Sequence, residues 1–438
     1  MQPGPVLNCD SQSTPPDGGA ACDSRTIPGA RAALALLLLI NLFNYIDRYI
    51  LAAVEPRIRE DLLKGDPNAM KKTGFLATAF LVTYMLTAPV FGVLADRFSR
   101  WLIIGAAVIL WSIATGATGL ALVFPMLLLA RVFVGVGEAG YGPAAPTLIS
   151  DYYPVERRGS VLAWFYMAIP VGSALGYALG GFVETHFGWR WAFYAAVVPG
   201  IVLGYLALRR KDPPRGAADQ THAPQRVSMA DYLRLLRIPS YLLDTAGMAA
   251  LTFAIGGISY WMPGYLIFRK AGSLAQVNMI FGGITVLGGI VATLLGGMAG
   301  DKLRPRFSGS YFLVSGIGIL IACPLILLML VTPFPLCWVV IFLTVFFLFF
   351  NTGPSNTILA NVTHPTIRAT AFAVNILVIH ALGDAVSPPL LGGIIESTPA
   401  KDNWNIAFIV VAAVSGLAGV TWLLGIPYLK KDTAAASV

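Results

Sequence analysis

Four charged residues stand out because of what surrounds them. Asp47 and Arg48 lie in the run LINLFNYIDRYILAA (39–53), and Arg131 and Glu138 lie in ARVFVGVGEAG (130–140). Both stretches belong to apolar runs long enough to cross a bilayer. A charge at the centre of a lipid-crossing helix costs about 2.5–3.5 kcal/mol on insertion scales, so such residues usually mark function. Asp47 falls about 15 residues into its run, roughly 22 Å from the helix start at 1.5 Å per residue and past the middle of the hydrocarbon. Arg48 cannot cancel it directly, because helix neighbours point about 100° apart. Asn41, Asn44 and Arg48 form one stripe, and Asn44 and Asp47 are three apart. The polar sector is therefore broad and is expected to face a cavity rather than lipid.

Arg131 and Glu138 are nearly two turns apart and share a helix face. Gly135, Gly137, Gly140 and Gly142 flank Glu138 and allow close approach of a neighbouring helix. Carboxylates placed this way can do one of two things. With guanidinium partners they form a fixed charge network that holds helices together. Alternatively, one carboxylate takes up and releases a proton: burial favours the neutral carboxyl and a nearby guanidinium the ionised one, so a rearrangement that moves the arginine lets a proton bind. Asp47 is the first proton-coupling candidate and Glu138 the second. Arg48 or Arg131 could instead bind an anionic head group, since the guanidinium fork matches phosphate and carboxylate. His380 and Asp384, at i and i+4, share a face, either as a neutral hydrogen-bonded pair or as part of a cargo site or coupling device.

The elements that position these residues follow from composition. Of 438 residues, 56% are hydrophobic and 12% charged, and the mean hydropathy is +0.72. Soluble domains carry about 25% charged residues, so most of this chain belongs in lipid. Twelve apolar runs are expected near 32–54, 74–95, 101–121, 125–150, 158–184, 190–208, 240–268, 275–300, 308–332, 334–360, 366–398 and 402–429. With the N-terminus inside, inner segments hold 19 Lys and Arg and outer loops 9, which places both termini in the cytoplasm. The expected organisation is a disordered tail (1–30), a six-helix bundle (31–208), a linker (209–238), a second six-helix bundle (239–430) and a short tail (431–438). No cleavable signal is visible in the tail. In the linker, SMADYLRLLRIPS reads as a short amphipathic helix with Ser228 as cap and Asp231 three residues on, resting on the membrane surface or serving a regulatory or lipid-sensing role.

The halves repeat. GVLADRFSR (92–100) follows the second run and GMAGDKLRPR (297–306) the eighth, with Asp96 and Asp301 205 residues apart. SDYYPVERRGS (150–160) follows the fourth and ANVTHPTIRAT (360–370) the tenth, with Arg158 and Arg368 210 apart. Two matches at nearly one offset indicate a duplicated six-helix unit, the mark of transporters that rock one half against the other. Asp96, Arg97, Arg100, Arg158 and Asp301 then lie at cytoplasmic helix ends, as membrane anchors or as gating charges that pair across the halves and separate when the inner side opens. Gly172, Gly176 and Gly180, with Pro170 ahead, form a tight packing face. Trp164, Phe165, Tyr166 and ISYWMPGYLIF (258–268) form an interfacial aromatic belt or line a cavity suited to an amphipathic cargo.

GVLADRFSR resembles the loop signature between helices 2 and 3 of the major facilitator superfamily. Gly92, Asp96, Arg97 and Arg100 match, whereas Ser99 replaces a glycine and Trp101 a basic residue. The segments 130–140 and 169–181 resemble that superfamily's fourth- and fifth-helix patterns. Within it, NYIDRY (44–49), VGVGEAGYGPAAPTLISDYY (134–153), FYMAIPVGSALGYALGG (165–181) and HALGDAVSPPLLGG (380–393) resemble the spinster family. The resemblance implies an all-α membrane fold of twelve helices in two pseudo-symmetric six-helix bundles, working by alternating access. It also implies lipid-like cargo such as lysophospholipids or sphingosine-1-phosphate, and coupling to protons. Helices 1 and 4 are neighbours in that fold, so Asp47, Arg48, Arg131 and Glu138 are expected to form one buried cluster.

Other classes fit less well. The basic residues sit in short loops and form no compact nucleic-acid-binding domain. Cys9, Cys22, Cys323 and Cys337 have no disulfide or metal spacing, and no cofactor is expected. Short loops without a nucleophile elbow or phosphate loop speak against a lipid-modifying enzyme. The repeated loops fit a carrier better than a receptor or channel, and a carrier of an unrelated organic molecule or drug remains the alternative. The Asn361-Val-Thr glycosylation pattern lies on the expected cytoplasmic side and is discounted. The expected partners are membrane lipids, a small amphipathic cargo and protons, for a monomer in the cell membrane.

Overall fold

Charge-poor apolar runs separated by Gly-, Pro- and charge-containing loops satisfy their backbone polar groups in lipid by folding as helices. The computed structural model describes residues 28–153, 155–214, 235–363, 368–397 and 403–436. Cys9, Cys22, most of the N-terminal tail, and Ser228 and Asp231 of the expected linker helix lie outside the described residues. So do the side chains of Asp96, Arg158 and Arg368. Twelve helices are long and apolar enough to cross a membrane, and there is no strand among the described residues.

The first bundle comprises α1 (Ala30–Leu62), α2 (Ala69–Arg97), α3 (Arg100–Gly119), α4 in two segments (Phe124–Ala139 and Ala144–Tyr152), α5 (Val155–Phe187) and α6 (Trp189–Leu208). The second comprises α7 (Pro239–Phe268), α8 (Leu274–Leu303), α9 (Ser310–Val331), α10 in two segments (Leu336–Phe349 and Thr352–Asn361), α11 and α12 (Trp404–Ala436). α11 is composite: Arg368–Ile379, a π turn over His380–Asp384, and Ser387–Ile395. Packing repeats between halves: α3 lies on α6 as α9 lies on α12. Across the halves, α5 meets α8 and α2 meets α11.

Two helices run past the expected limits. α1 continues from residue 54 to Leu62 because its polar end is held by ion pairs, Arg57 to Glu184 (2.8 Å) and Asp61 to Arg190 (2.5 Å). α12 continues as helix to Ala436, where a tail was expected, and Asp432 Oδ2 accepts the Ser240 N–H at 2.9 Å.

The glycine stripe of α5 fits the packing face read from the sequence. A Cβ on Gly176 would stand 2.7 Å from the Ile46 carbonyl oxygen, and one on Gly172 2.6 Å from Tyr45 Cβ. On α4, a Cβ on Gly137 would stand 2.7 Å from the Trp111 nitrogen of α3. These absent side chains bring α1, α3, α4 and α5 into backbone contact around the charged residues.

The face carrying Ala30 and Ala436 is termed the terminal face, and the opposite one the far face. Toward the far face the halves touch. Asn278 Nδ2 donates to the Ala53 carbonyl at 2.9 Å, Tyr177 packs on Phe281 with ring centroids 5.1 Å apart, and the Tyr177 hydroxyl donates to the Ser259 carbonyl. Toward the terminal face Leu86, Val90 and Val93 of α2 and Leu294 and Met298 of α8 are exposed.

The loop between α2 and α3 is built within one half. Ser99, where the superfamily pattern has glycine, caps α3 by accepting the Leu102 N–H at 3.3 Å. Trp101 is fully buried. Asp212, just beyond α6, accepts from the Arg100 N–H (2.7 Å), the Trp101 N–H (3.0 Å) and the Ser99 hydroxyl (2.9 Å). Arg100 is buried, and its guanidinium holds both Asp212 and Asp151. In this conformation both partners of Arg100 belong to the first half and its exit, so among the described residues it makes no pair across the halves. Asp301 likewise stays in its own half, accepting from the Tyr311 hydroxyl at 2.8 Å, and Arg97 is exposed.

Burial pushes the Asp212 carboxyl up, but its backbone and side-chain hydrogen bonds outweigh that and hold it below the usual carboxylate range. A depressed folded-state value stabilises above the unfolded value of about 3.9 and is lost as pH falls through the lower folded one. Asp212→Asn is therefore expected to lower stability at pH 7 by about 1.5–3 kcal/mol, the range for hydrogen bonds to a charged group. It should also flatten the loss of stability below pH about 4. Thermal unfolding of detergent-solubilised protein between pH 7 and 3 checks both; an unchanged midpoint at pH 7 would refute the assignment.

Candidate functional site

The charged residues of α1 and α4 gather as one buried group within reach of each other's charge, but only one pair makes a direct ion pair. Arg48 reaches across to α4: its Nε and one terminal nitrogen both lie 2.6 Å from Glu138 Oε2. Glu138 is 1% exposed, while the Arg48 side chain is 23% exposed. The guanidinium also lies over three rings, with centroids at 4.8 Å (Phe80), 5.0 Å (Tyr45) and 5.5 Å (Tyr84). Such contacts add cation–π attraction to the ion pair.

Asp47 takes another direction. It is 2% exposed and accepts from the Thr115 hydroxyl on α3. This corrects the expectation that the whole polar sector faces a cavity: the roughly 100° step per residue points Arg48 at the cavity and Asp47 into the helix packing behind it. Arg131, also 2% exposed, donates to Thr118 Oγ1 at 2.9 Å and lies over Phe193 at 5.6 Å. Among the described residues Arg131 makes no ion pair within 4 Å, so the four-residue group holds one direct salt bridge, with Asp47 and Arg131 hydrogen-bonded to threonines and interacting through their charges at longer range. Asp47 Oδ1, Glu138 Oε1, Asn44 Nδ2 and Arg131 Nε have no hydrogen-bond partner among the described residues. Asn41 is committed elsewhere, donating to the Phe165 carbonyl at 2.8 Å.

Two cavities flank Arg48. One, of about 250 Å³, is walled by Tyr45, Arg48, Phe80, Arg131, Tyr260, His380 and Asp384. The other, of about 220 Å³, lies toward the terminal face and is walled by Asn44, Arg48, Tyr84, Glu138, Tyr141, Tyr166 and His380. Arg48 and His380 line both. His380 Nδ1 lies 2.9 Å and 3.1 Å from the two Asp384 oxygens. The pair sits in the π turn of α11, a distortion frequent at functional sites. The expected aromatics divide: Phe165, Tyr166 and Tyr260 line cavities, whereas Trp164 is 62% exposed. No cluster of metal-binding residues occurs among the described residues.

Several contributors escaped the sequence reading. Thr115 and Thr118 hold the two inner charges, and their signal was two hydroxyls three apart in an apolar helix. Tyr84 lines the second cavity. Asp244 on α7 is fully buried, accepts from Trp422 Nε1 at 3.0 Å, and keeps Oδ2 unpartnered among the described residues. It was a visible acid in an apolar run.

The Major Facilitator Superfamily profile matches residues 37–388. The spinster homolog 3 of Danio rerio is 33% identical over 97% of this chain and 91% of its own length. The chain belongs to the spinster family. The Drosophila melanogaster protein spinster is 36% identical over 83% of this chain, a match spanning 62% of the Drosophila protein. Human spinster homolog 1 is 33% identical over 94% of this chain and 83% of its own length. Among solved structures, the crystal structure of a bacterial homolog to the human lysosomal transporter spinster, inward-facing and unoccupied, superposes with a TM-score of 0.81. It shares 23% identity, over 92% of this chain and 98% of that one. A D-xylose–proton symporter shares the fold with a TM-score of 0.71 at 17% identity, over 91% of this chain and 98% of that one. This spinster-family chain is thus an integral multi-pass membrane transporter, not an enzyme.

Removing one partner of a buried ion pair strands the other charge at about 3–5 kcal/mol, whereas replacing both by apolar groups is far milder. Arg48 has partial access to the cavities, so Glu138→Leu should cost toward the low end of that range. The double variant Arg48→Met with Glu138→Leu should recover most of the loss. Thermal midpoints of the two single variants and the double variant measure the coupling, and additive losses would show that the pair does not act as a unit.

Proposed function

We propose that this transporter moves an amphipathic cargo with an anionic head, of lysophospholipid or sphingosine-1-phosphate type, by proton-coupled alternating access. The observation that carries this reading is Arg48: one guanidinium holds the buried Glu138 and also lines both cavities. Protonating Glu138 removes the negative partner, and the freed fork can take a phosphate or carboxylate. Cargo leaving the fork returns the arginine to Glu138, which then gives up its proton. Proton and cargo thereby favour one state of the arginine together, which is a reciprocal coupling between two ligands.

Glu138 is favoured over Asp47 as the carrier because it faces a cavity, while Asp47 is enclosed with Thr115. Asp47 and Arg131 then form the inner electrostatic background of the site. His380 and Asp384 face Arg48 from the second half and sense cargo or proton there. Tyr45, Phe80, Tyr84 and Tyr166 suit an apolar chain beside a charged head.

The excess of Lys and Arg on the terminal face supports both termini in the cytoplasm of a cell membrane. On that orientation the halves meet at the outer end and the cavities lie toward the cytoplasm, an inward-facing arrangement. Asp96, Arg97, Arg100, Arg158 and Asp301 belong to the inner gate, whose closure requires another conformation. A single chain supplies both cavities, which supports a monomer.

In reconstituted vesicles, cargo accumulation should scale with an imposed pH gradient. Glu138→Gln should lose at least about 90% of the gradient-driven component, a tenfold effect corresponding to about 1.4 kcal/mol, and retain exchange without a gradient. Asp47→Asn should impair both modes to a similar degree. Full gradient dependence in Glu138→Gln would refute the carrier assignment, and loss only in Asp47→Asn would transfer it to Asp47.

A further inference from the structure

The far-face seam converges on one helix end. α2 begins at Ala69, and no side chain of its own N-cap residue Asn68 caps its first turn. The cap comes from the other half of the molecule. Glu396, just past the end of α11, accepts the Met70 N–H on Oε1 at 2.6 Å and the Lys71 N–H on Oε2 at 3.0 Å. A helix N-terminus carries unpaired N–H groups and partial positive charge, so a carboxylate engaging two of them makes charge-assisted hydrogen bonds.

The same turn is gripped twice more. The Tyr260 hydroxyl on α7 donates to the Thr73 carbonyl, and the Thr73 hydroxyl donates to Glu55 Oε1 at 2.7 Å. The backbones themselves touch. A Cβ on Gly74 would stand 2.6 Å from the Pro388 carbonyl, and one on Gly392 2.6 Å from the Met70 carbonyl oxygen. Glu396 lines neither cavity.

We propose that Glu396 is the far-face latch of the transport cycle. Its carboxylate, carried by the second half, holds the N-terminus of α2, carried by the first, and this bond breaks whenever the cavity opens to the far face. The inference rests on the alternating-access reading and adds to it a positioning residue remote from the cargo site. Losing the latch shifts the balance of conformations without altering the groups that meet cargo. It therefore changes turnover while leaving the intrinsic affinity of the terminal-face site unchanged.

The test uses spin labels on Lys64→Cys and Lys270→Cys, exposed far-face positions in the two halves, in full-length protein with its four native cysteines replaced by serine. Double electron–electron resonance reads the ratio of far-open to far-closed distances. Glu396→Ala should raise that ratio about tenfold, as expected for hydrogen bonds to a charged group. Glu396→Gln, which keeps the shape and loses the charge, should give a smaller rise and guards against misfolding. Gly74→Ala, a backbone wedge, should also open the seam and serves as the positive control. A shift with Gly74→Ala but a wild-type ratio in both Glu396 variants would overturn the latch. One closed distance in every sample, Gly74→Ala included, would overturn the alternating-access reading beneath it.

Discussion

The structure depends on keeping charge inside lipid without leaving it alone. Arg48 and Glu138 solve this by meeting across α1 and α4, and much of the first bundle follows from that contact. α4 must approach α2 and α3 closely enough to present Glu138, which its glycines allow. α5 must press α1 from the other side, which the stripe Gly172, Gly176 and Gly180 allows. Small residues are the usual means of such approach where no hydrophobic force acts between helices. The rings of Tyr45, Phe80 and Tyr84 then enclose the guanidinium on its cavity side. The pair is thus both a structural tie and the polar feature most open to the interior space.

Polar contacts are unequally distributed around this tie. At the far face several cross between halves, beside others that stay within one, while at the terminal face the described ones stay within a half, as with Arg100, Asp151 and Asp212 or Asp301 and Tyr311. The same arginine in the α2–α3 loop that looks like a bridge in sequence is, in this conformation, an internal brace. Bracing each half separately lets the halves part at that end without melting either one.

The helix count, the duplication and the unusual charges were legible because lipid imposes strong rules on composition and length. Family resemblance added that α1 and α4 are neighbours. What sequence could not supply was the direction of individual side chains. Asp47 and Arg48 are adjacent, yet one enters the α3 packing and the other the cavity, and only the helix rotation set by neighbours decides this. Nor could it join Glu396 to Met70, 326 positions apart. The spacing of His380 and Asp384 announced a contact, but not the widened turn that carries it. Asp244 was legible as an acid near the start of an apolar run.

The seam between α2 and α11 is made largely of backbone: Gly74 against Pro388, Gly392 against Met70, and a carboxylate on two amides. At those backbone contacts little apolar side-chain area separates when the seam parts. Heat capacity tracks exposed apolar surface, so parting these contacts adds little to the heat-capacity change. The balance between the seam's closed and open forms then varies almost linearly with temperature, without the curvature that a greasy interface would impose. For a carrier sealed in this way, warming tilts the working equilibrium along a fixed slope rather than bending it.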